Sequence, residues 1–202
     1  MRMAFDRLRS WVSGGHGVKG RSRDDWNQQY STGQWDFLGS MDEMSRYWVG
    51  TGYCSRIPDP SVLDVGCGTG LFEEKLRLLP YSSYLGVDFS IDGLKAARKR
   101  MPASCRLVCA DMTTFEASAK FDIITFMDLE WPPLSVSVMR RYAGMLRPGG
   151  KILLSLFDGR NKKASVMVWE EVKRNFRVED MTRVENIPSD KQWTVAWISG
   201  EV

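Results

Sequence analysis

Ser61-Val62-Leu63-Asp64-Val65-Gly66-Cys67-Gly68-Thr69-Gly70 decides how the rest of this 202-residue chain is read. A short apolar run carries a carboxylate near its end and passes into three alternating glycines. The amphipathic run Leu71-Phe72-Glu73-Glu74-Lys75-Leu76 follows at once. The order is strand, tight turn, helix start, which is where an open α/β sheet holds a nucleotide-like ligand. Glycine suits such a turn because it takes positive φ and has no side chain to keep a ligand off the backbone.

The spacing separates three ligand classes. A phosphate-gripping P-loop ends in Gly-Lys-Ser/Thr, whereas this loop ends Gly-Leu-Phe. A dinucleotide fingerprint needs Gly-x-Gly-x-x-Gly, but the sixth position here is Leu71. The third class joins a nucleoside to an amino acid without phosphate. Asp64 suits it, because a carboxylate beside the loop can meet an ammonium group, directly or through water, and would repel a pyrophosphate.

The next segment supports the third class. Tyr84-Leu85-Gly86-Val87-Asp88 reads as a buried parallel strand ending in an acid. Asp88 falls about 20 residues after the loop, where such folds place the acid that binds ribose hydroxyls. Phe89 follows it and offers a flat apolar face to a base.

With these pieces in view, the run from Ser61 to Phe157 resembles a class I S-adenosylmethionine-dependent methyltransferase of the small-molecule type. The matching pieces are VLDVGCGTG at 62–70, LGVDFS at 85–90, LVCADM at 107–112, FDIITFMD at 121–128 and LRPGGKILLSLF at 146–157. The resemblance implies S-adenosyl-L-methionine as cofactor and S-adenosyl-L-homocysteine as product. It implies that Asp64, Gly66, Gly68 and Gly70, with Cys67 between them, surround the methionine part. Asp88 would bind the ribose, with Phe89 against the adenine. Asp111 would face the adenine amino group, and Met112 would supply a backbone contact. Met127 and Asp128 would lie near the sulfonium.

Working outward, strands are expected near 61–65, 84–88, 105–111, 121–128 and 151–157. Helices are expected near 71–79, 91–101, 134–146 and 162–174. Arg147-Pro148-Gly149-Gly150 reads as a helix stop and turn before the fifth strand. Two further strands, 176–185 and 192–199, are joined by Ile187-Pro188-Ser189-Asp190, a link so short that they must be antiparallel. The alternation is that of a single α/β, Rossmann-like, doubly wound domain. The resemblance adds a seven-stranded order, 3-2-1-4-5-7-6, with strand 7 antiparallel.

Upstream, residues 26–57 form an aromatic lead-in. Trp-Asn-Gln-Gln-Tyr-Ser-Thr-Gly-Gln-Trp-Asp at 26–36 is dense in aromatics that are costly to leave in water. It resembles a segment that precedes the core in many small-molecule methyltransferases and folds over the cofactor pocket; otherwise Trp26 and Trp35 cap the sheet. Tyr30, with Trp35 beside it, is the expected cofactor contact. Ser40 to Ile57 reads as a helix, with Ser40 as N-cap and Glu43 three residues on. Met41, Met44, Trp48 and Cys54 or Ile57 are expected to face inward. Residues 1–25 interleave Met1, Met3, Phe5, Leu8, Trp11 and Val12 with arginines, then run through four glycines. They read as a basic tail or as a lid. The resemblance implies that residues 58–202 make the methyltransferase core.

Bulk properties narrow the class. The formal net charge of +3 gives no electrostatic case for nucleic acid. No apolar run is long enough to span a bilayer, and the first residues lack the apolar core of a secretory signal. Cytoplasm is the expected compartment. Cys54, Cys67, Cys105 and Cys109 show no metal or redox spacing and read as free thiols, with Cys105 and Cys109 on one strand face. No metal ligand set is read. The oligomeric state is not written in the sequence.

An activated methyl needs an aligned acceptor, and a hydroxyl or ammonium acceptor also needs a base worth about 10²–10⁴-fold. Asp128 stands first among the candidates, at the carboxyl edge where such sheets bind ligands. Glu130 is second. His16, the only histidine, has the right unperturbed pKa and serves only if the tail closes. Glu130-Trp131-Pro132-Pro133 does not match the Asp/Asn-Pro-Pro-Tyr motif of amino-group methyltransferases, so Trp131 is read as a wall of the acceptor pocket. The expected function is methyl transfer to a hydroxyl or amine of a small molecule. The rivals are RNA or protein methylation, a non-catalytic binding or regulatory subunit, and a nicotinamide-dependent oxidoreductase.

Overall fold

The computed structural model describes residues 22–129, 134–158 and 162–200. The elements in chain order are α1 (Arg23–Ser31), a 3-10 turn (Asp36–Gly39), α2 (Met41–Cys54), β1 (Ser61–Val65), α3 (Leu71–Leu76), β2 (Ser83–Asp88) and α4 (Ile91–Arg100). They continue with β3 (Arg106–Cys109), β4 (Phe121–Met127), α5 (Val136–Ala143), β5 (Leu146–Phe157), α6 (Lys162–Asn175), β6 (Val178–Asn186) and β7 (Lys191–Ser199). The strands form one seven-stranded sheet in the order β3-β2-β1-β4-β5-β7-β6. β7 runs antiparallel to both β5 and β6. Fold class and strand order are therefore those expected.

Period-two alternation sends each strand's side chains to two opposite apolar layers. Leu63, Val65, Ile124, Phe126, Ile152 and Leu154 meet α5 and α6 through Met139, Tyr142, Trp169 and Val172. Val62, Tyr84, Ile123, Met127, Leu153 and Trp197 meet α2, α3 and α4 through Met44, Tyr53, Phe72 and Ala97. Asp64 lies beside Thr125 in the β1–β4 register, on the second face. That face therefore carries the polar groups of the site.

Four expectations change. Ser40 occupies the N-cap position of α2, but its side chain makes no capping bond. Glu43 instead turns inward to Arg46. Met41 and Trp48 are 83% and 47% exposed, and the buried face of α2 carries Glu43, Met44, Arg46, Tyr47, Gly50, Tyr53 and Cys54. Met44 and Cys54 face inward as the helical spacing predicts, but Met41 and Trp48 do not, because two charged residues are buried together on that face. Arg147-Pro148-Gly149-Gly150 is not a turn between elements. It lies within β5, where the β4–β5 register shifts between Phe121 and Ile123 and Gly149 takes φ +77. α5 correspondingly ends at Ala143. Cys105 precedes β3 and is buried, whereas Cys109 is exposed at its end, so the two do not share a strand face. All four cysteines are free. Among the described residues no helix is long and apolar enough to cross a membrane.

Candidate active site

Gly66, Gly68 and Gly70 all take positive φ, at +71, +50 and +81. L-residues with a side chain reach that region only at a cost. A Cβ at each would also collide: at 66 with the Leu129 side chain, at 68 with the Tyr30 hydroxyl at 2.8 Å, and at 70 with the Met101 sulfur at 2.8 Å. The loop therefore presents bare backbone. It is pinned from below, because Gly66 N and Cys67 N both donate to the Val87 carbonyl, at 2.7 and 3.1 Å. The Cys67 side chain packs under the loop, 2.8 Å from where a Cβ of Gly86 would sit. Burial pushes its thiol well up, so Cys67 faces a ligand only with its main chain.

Two acids flank the loop. Asp88 ends β2 and bridges two backbone donors, Gly68 N at 2.9 Å and Ser90 N at 2.8 Å. Burial raises its carboxyl above the usual range, and the N–H donors oppose that rise. Asp64 is buried on the sheet's second face. It accepts from Tyr84 Oη at 2.5 Å and from Thr125 Oγ1 at 2.5 Å. Burial pushes its carboxyl up to about 6, against the pull of those two hydroxyls. A backbone cradle with one acid toward each end fits a ligand that offers hydroxyl and ammonium donors.

α1 lies over this edge. Its capping box joins Ser22 and Asp25. Asn27 Oδ1 accepts from Ser90 Oγ at 2.8 Å, fastening the helix to the β2–α4 turn. Tyr30 packs between Gly68 and Gly93, and burial, with Asp88 adding to it, keeps its phenol protonated. Trp26 meets Phe89 edge-on at 6.1 Å and stacks on Trp35 at 5.2 Å. Trp35 Nε1 donates to Gln29 at 3.1 Å. The lead-in thus gathers Trp26, Tyr30, Trp35 and Phe89 above the loop and Asp88. Asp111 and Met112 lie just beyond β3, at the same carboxyl edge.

On the other side of the loop, strict alternation would send residue 128 to the α5–α6 face. Asp128 takes φ +60 and instead joins Ser155 and Arg46. Ser155 Oγ donates to it at 2.6 Å, and the Arg46 guanidinium pairs with it. Arg46 is fully buried, donates to Glu43 at 2.7 Å and to the Tyr47 hydroxyl at 3.1 Å, and lies 4.3 and 5.0 Å from the Tyr47 and Trp193 rings. Burial raises the Asp128 carboxyl, and Arg46 works against that rise. Met127 turns toward Gly50 of α2. Glu130, Trp131, Pro132, Pro133 and His16 lie outside the described residues, as does most of the tail at 1–25.

Sequence reasoning missed Arg46, Glu43, Tyr84, Thr125 and Ser155. The signal was available: a Glu–Arg pair at i,i+3 on an apolar helix face, and single hydroxyl residues inside otherwise apolar strands. Buried polar groups need partners, so such residues mark where partners must be found.

Residues 62–150 match the family model described as a methyltransferase domain. The chain is 31% identical over 144 residues to the trans-aconitate 2-methyltransferase of Rhodopseudomonas palustris, covering 67% of this chain and 55% of that one. It is 32% identical over 119 residues to the ubiquinone biosynthesis O-methyltransferase of Chromobacterium violaceum, covering 56% and 50%. The chain thus spans about half the length of the curated relatives it matches. The fold is similar to that of N-methyltransferase NodS from Bradyrhizobium japonicum WM9 in complex with S-adenosyl-L-homocysteine. The TM-score is 0.73 at 16% identity, over 88% of this chain and 99% of that one. Glycine loop, sheet order and sequence likeness agree: residues 62–150 carry a methyltransferase domain, similar in sequence and fold to S-adenosylmethionine-dependent methyltransferases.

Proposed function

We propose that this chain transfers a methyl group from S-adenosylmethionine to a hydroxyl or amine of a small molecule. The observation that carries the reading is the Asp88 carboxylate tied to Gly68 N at 2.9 Å, beneath a loop whose three glycines all take positive φ. The bound cofactor supplies a methyl already activated by its sulfonium. Asp88 accepts from the ribose hydroxyls, and Asp64 offers negative charge toward the ammonium. Asp111 and the Met112 backbone meet the adenine, with Phe89 against its face. Tyr30 and the Trp26–Trp35 stack exclude water from the crevice.

Asp128 is the base in this reading. Its left-handed backbone turns the carboxylate toward Ser155 and Arg46, and those two donors hold it in one orientation while it takes the acceptor's proton. Placing acceptor and methyl at attack distance accounts for about 7–11 kcal/mol of the barrier. The small-molecule assignment draws on the relatives' names, which give trans-aconitate and ubiquinone precursors as substrate chemistry for those proteins.

Titration calorimetry with S-adenosylhomocysteine, followed by transfer of labelled methyl to a panel of small hydroxyl, carboxyl and amine compounds, tests the proposal. Wild-type protein binds, and Asp88→Ala weakens binding by about 1–3 kcal/mol, the scale of a lost charge-assisted hydrogen bond. Asp128→Asn lowers turnover and leaves cofactor affinity nearly unchanged. No heat with S-adenosylhomocysteine would remove the function. Equal losses of turnover and affinity in Asp128→Asn would make Asp128 a cofactor ligand.

A further inference from the structure

We propose that Arg141 and Tyr142 of α5 are positioning residues that set the cofactor's base specificity, by clamping the turn that follows β3. The inference rests on the reading of Asp111 and Met112 as the adenine contacts. Among the described residues β3 is the edge strand of the sheet and pairs only with β2. Its last tie is Ala110 N to the Asp88 carbonyl at 3.0 Å. From there the chain leaves the ladder, with no strand among the described residues on its outer side to fix where Asp111 points.

The missing support comes from two directions. Inside the turn, Asp111 Oδ1 accepts from Thr113 N and from Thr113 Oγ1, both at 2.7 Å. Outside it, Tyr142 Oη donates to the Met112 carbonyl at 3.1 Å, and Arg141 donates to the Met112 and Thr113 carbonyls with its two terminal nitrogens. The peptide plane between Met112 and Thr113 is therefore held at both edges, its oxygen by α5 and its N–H by the Asp111 carboxylate.

That hold reaches the ligand through Asp111. The residue is exposed, and an exposed carboxylate left to itself rotates freely. Here Oδ1 is occupied by Thr113, so an incoming amino group is read by Oδ2 in a fixed direction. Such preorganisation removes an ordering cost from binding. The clamp itself is rigid. Tyr142 is fully buried, packs edge-on against Phe126 at 5.3 Å, and keeps its proton because burial pushes its phenol up to about 12. Tyr142 thus remains a donor across the whole working pH range.

A fixed carboxylate oxygen selects a base with an exocyclic amino donor and rejects one with a carbonyl oxygen there. S-adenosylhomocysteine and S-inosylhomocysteine differ at that position, with an amino group replaced by oxygen and a proton added to the adjoining ring nitrogen. Titrating both ligands into wild type, Arg141→Ala, Arg141→Lys and Tyr142→Phe, with Tm recorded for each, tests the clamp. Wild type is expected to prefer the adenosyl ligand by about tenfold or more, the scale of a hydrogen bond to a charged group. Arg141→Ala narrows that preference by about threefold or more, through lost adenosyl affinity alone, and Arg141→Lys restores part of it. Tyr142→Phe removes one hydroxyl from a packed ring and narrows the preference too, which keeps the test in force should Arg141→Ala fail to fold. A wild type that discriminates, with variants that discriminate equally well, overturns the clamp even if their affinities fall. A wild type that binds both ligands equally removes the adenine reading of the turn, and the clamp with it.

Discussion

Asp64 is 1% exposed, and its two oxygens are taken by the Tyr84 and Thr125 hydroxyls. Those bonds recover only part of what hydration gave, so burial lifts its carboxyl from 3.8 to about 6. The folded protein then binds a proton at this residue more tightly than the unfolded chain does. Asp64 favours folding fully below about pH 4, and that contribution is lost as pH rises through about 6, a change on the order of 3 kcal/mol. Asp64→Asn keeps the shape and removes the charge. It is expected to raise Tm at pH 8 and to flatten the dependence of Tm on pH between 4 and 6, read by calorimetry. It is also expected to weaken S-adenosylhomocysteine binding by about tenfold, because the ammonium loses its counter-charge. A variant melting below wild type at pH 8 would show that the ionised carboxylate stabilises the fold instead. Asp64 is an acid retained at a cost to stability, which is the usual mark of a group kept for binding.

At the scale of elements, α1 gathers the aromatic residues over the glycine loop through Asn27, Trp26 and Tyr30. None of its residues is fully buried. A helix held so lightly is drawn from the low-stability end of the molecule, and a ligand beneath it should change how often it opens. Saturating S-adenosylhomocysteine is expected to slow amide exchange across residues 23–31, and Tyr30→Ala is expected to abolish that slowing. Unchanged exchange there would show that α1 does not cover the ligand. The elements differ in how far the sequence disclosed them. β1, the glycine loop, β2 and β4 were legible because a buried parallel strand is a continuous apolar run closed by glycine or acid. The buried face of α2 was not, since apolar spacing favours Met41 and Trp48 over Glu43 and Arg46. Tertiary contacts make burial of that ion pair tolerable: Asp128 and Trp193 meet Arg46, and Lys191 pairs with Glu43. The bulge in β5 was hidden for a related reason: Pro148 and Gly149 punctuate chains in most settings, and here β5 carries the extra residues opposite Asp122 and resumes its pairing with β4 at Lys151. Asp128 was legible as a candidate, but its left-handed backbone and its arginine partner were not, because both depend on what α2 brings across the sheet.

At the scale of the molecule, one sheet separates two apolar layers, and the proposed cofactor site lies at its carboxyl edge, beside α1 and α2. β1 and β4 contribute to both layers, with Leu63 and Ile124 in one and Val62 and Ile123 in the other. Neither layer can melt while the sheet persists, and the sheet cannot persist without both. Unfolding is therefore expected to be a single cooperative transition. A ligand that binds only the folded state shifts the whole transition, by about 2.7 kcal/mol at one hundred times its dissociation constant. For a domain of this size that is a rise in Tm of about 5–11 °C. S-adenosylhomocysteine at that excess is expected to produce the shift in one undivided endotherm. NAD at the same concentration is expected to leave Tm in place, because the loop lacks the dinucleotide glycine spacing and Asp64 sets a negative charge beside it where the pyrophosphate would have to lie. A split endotherm in which only one component moves with ligand would mean that the site is borne by one layer folding on its own. A shift with NAD in place of S-adenosylhomocysteine would mean that the loop spacing and Asp64 do not select against phosphate.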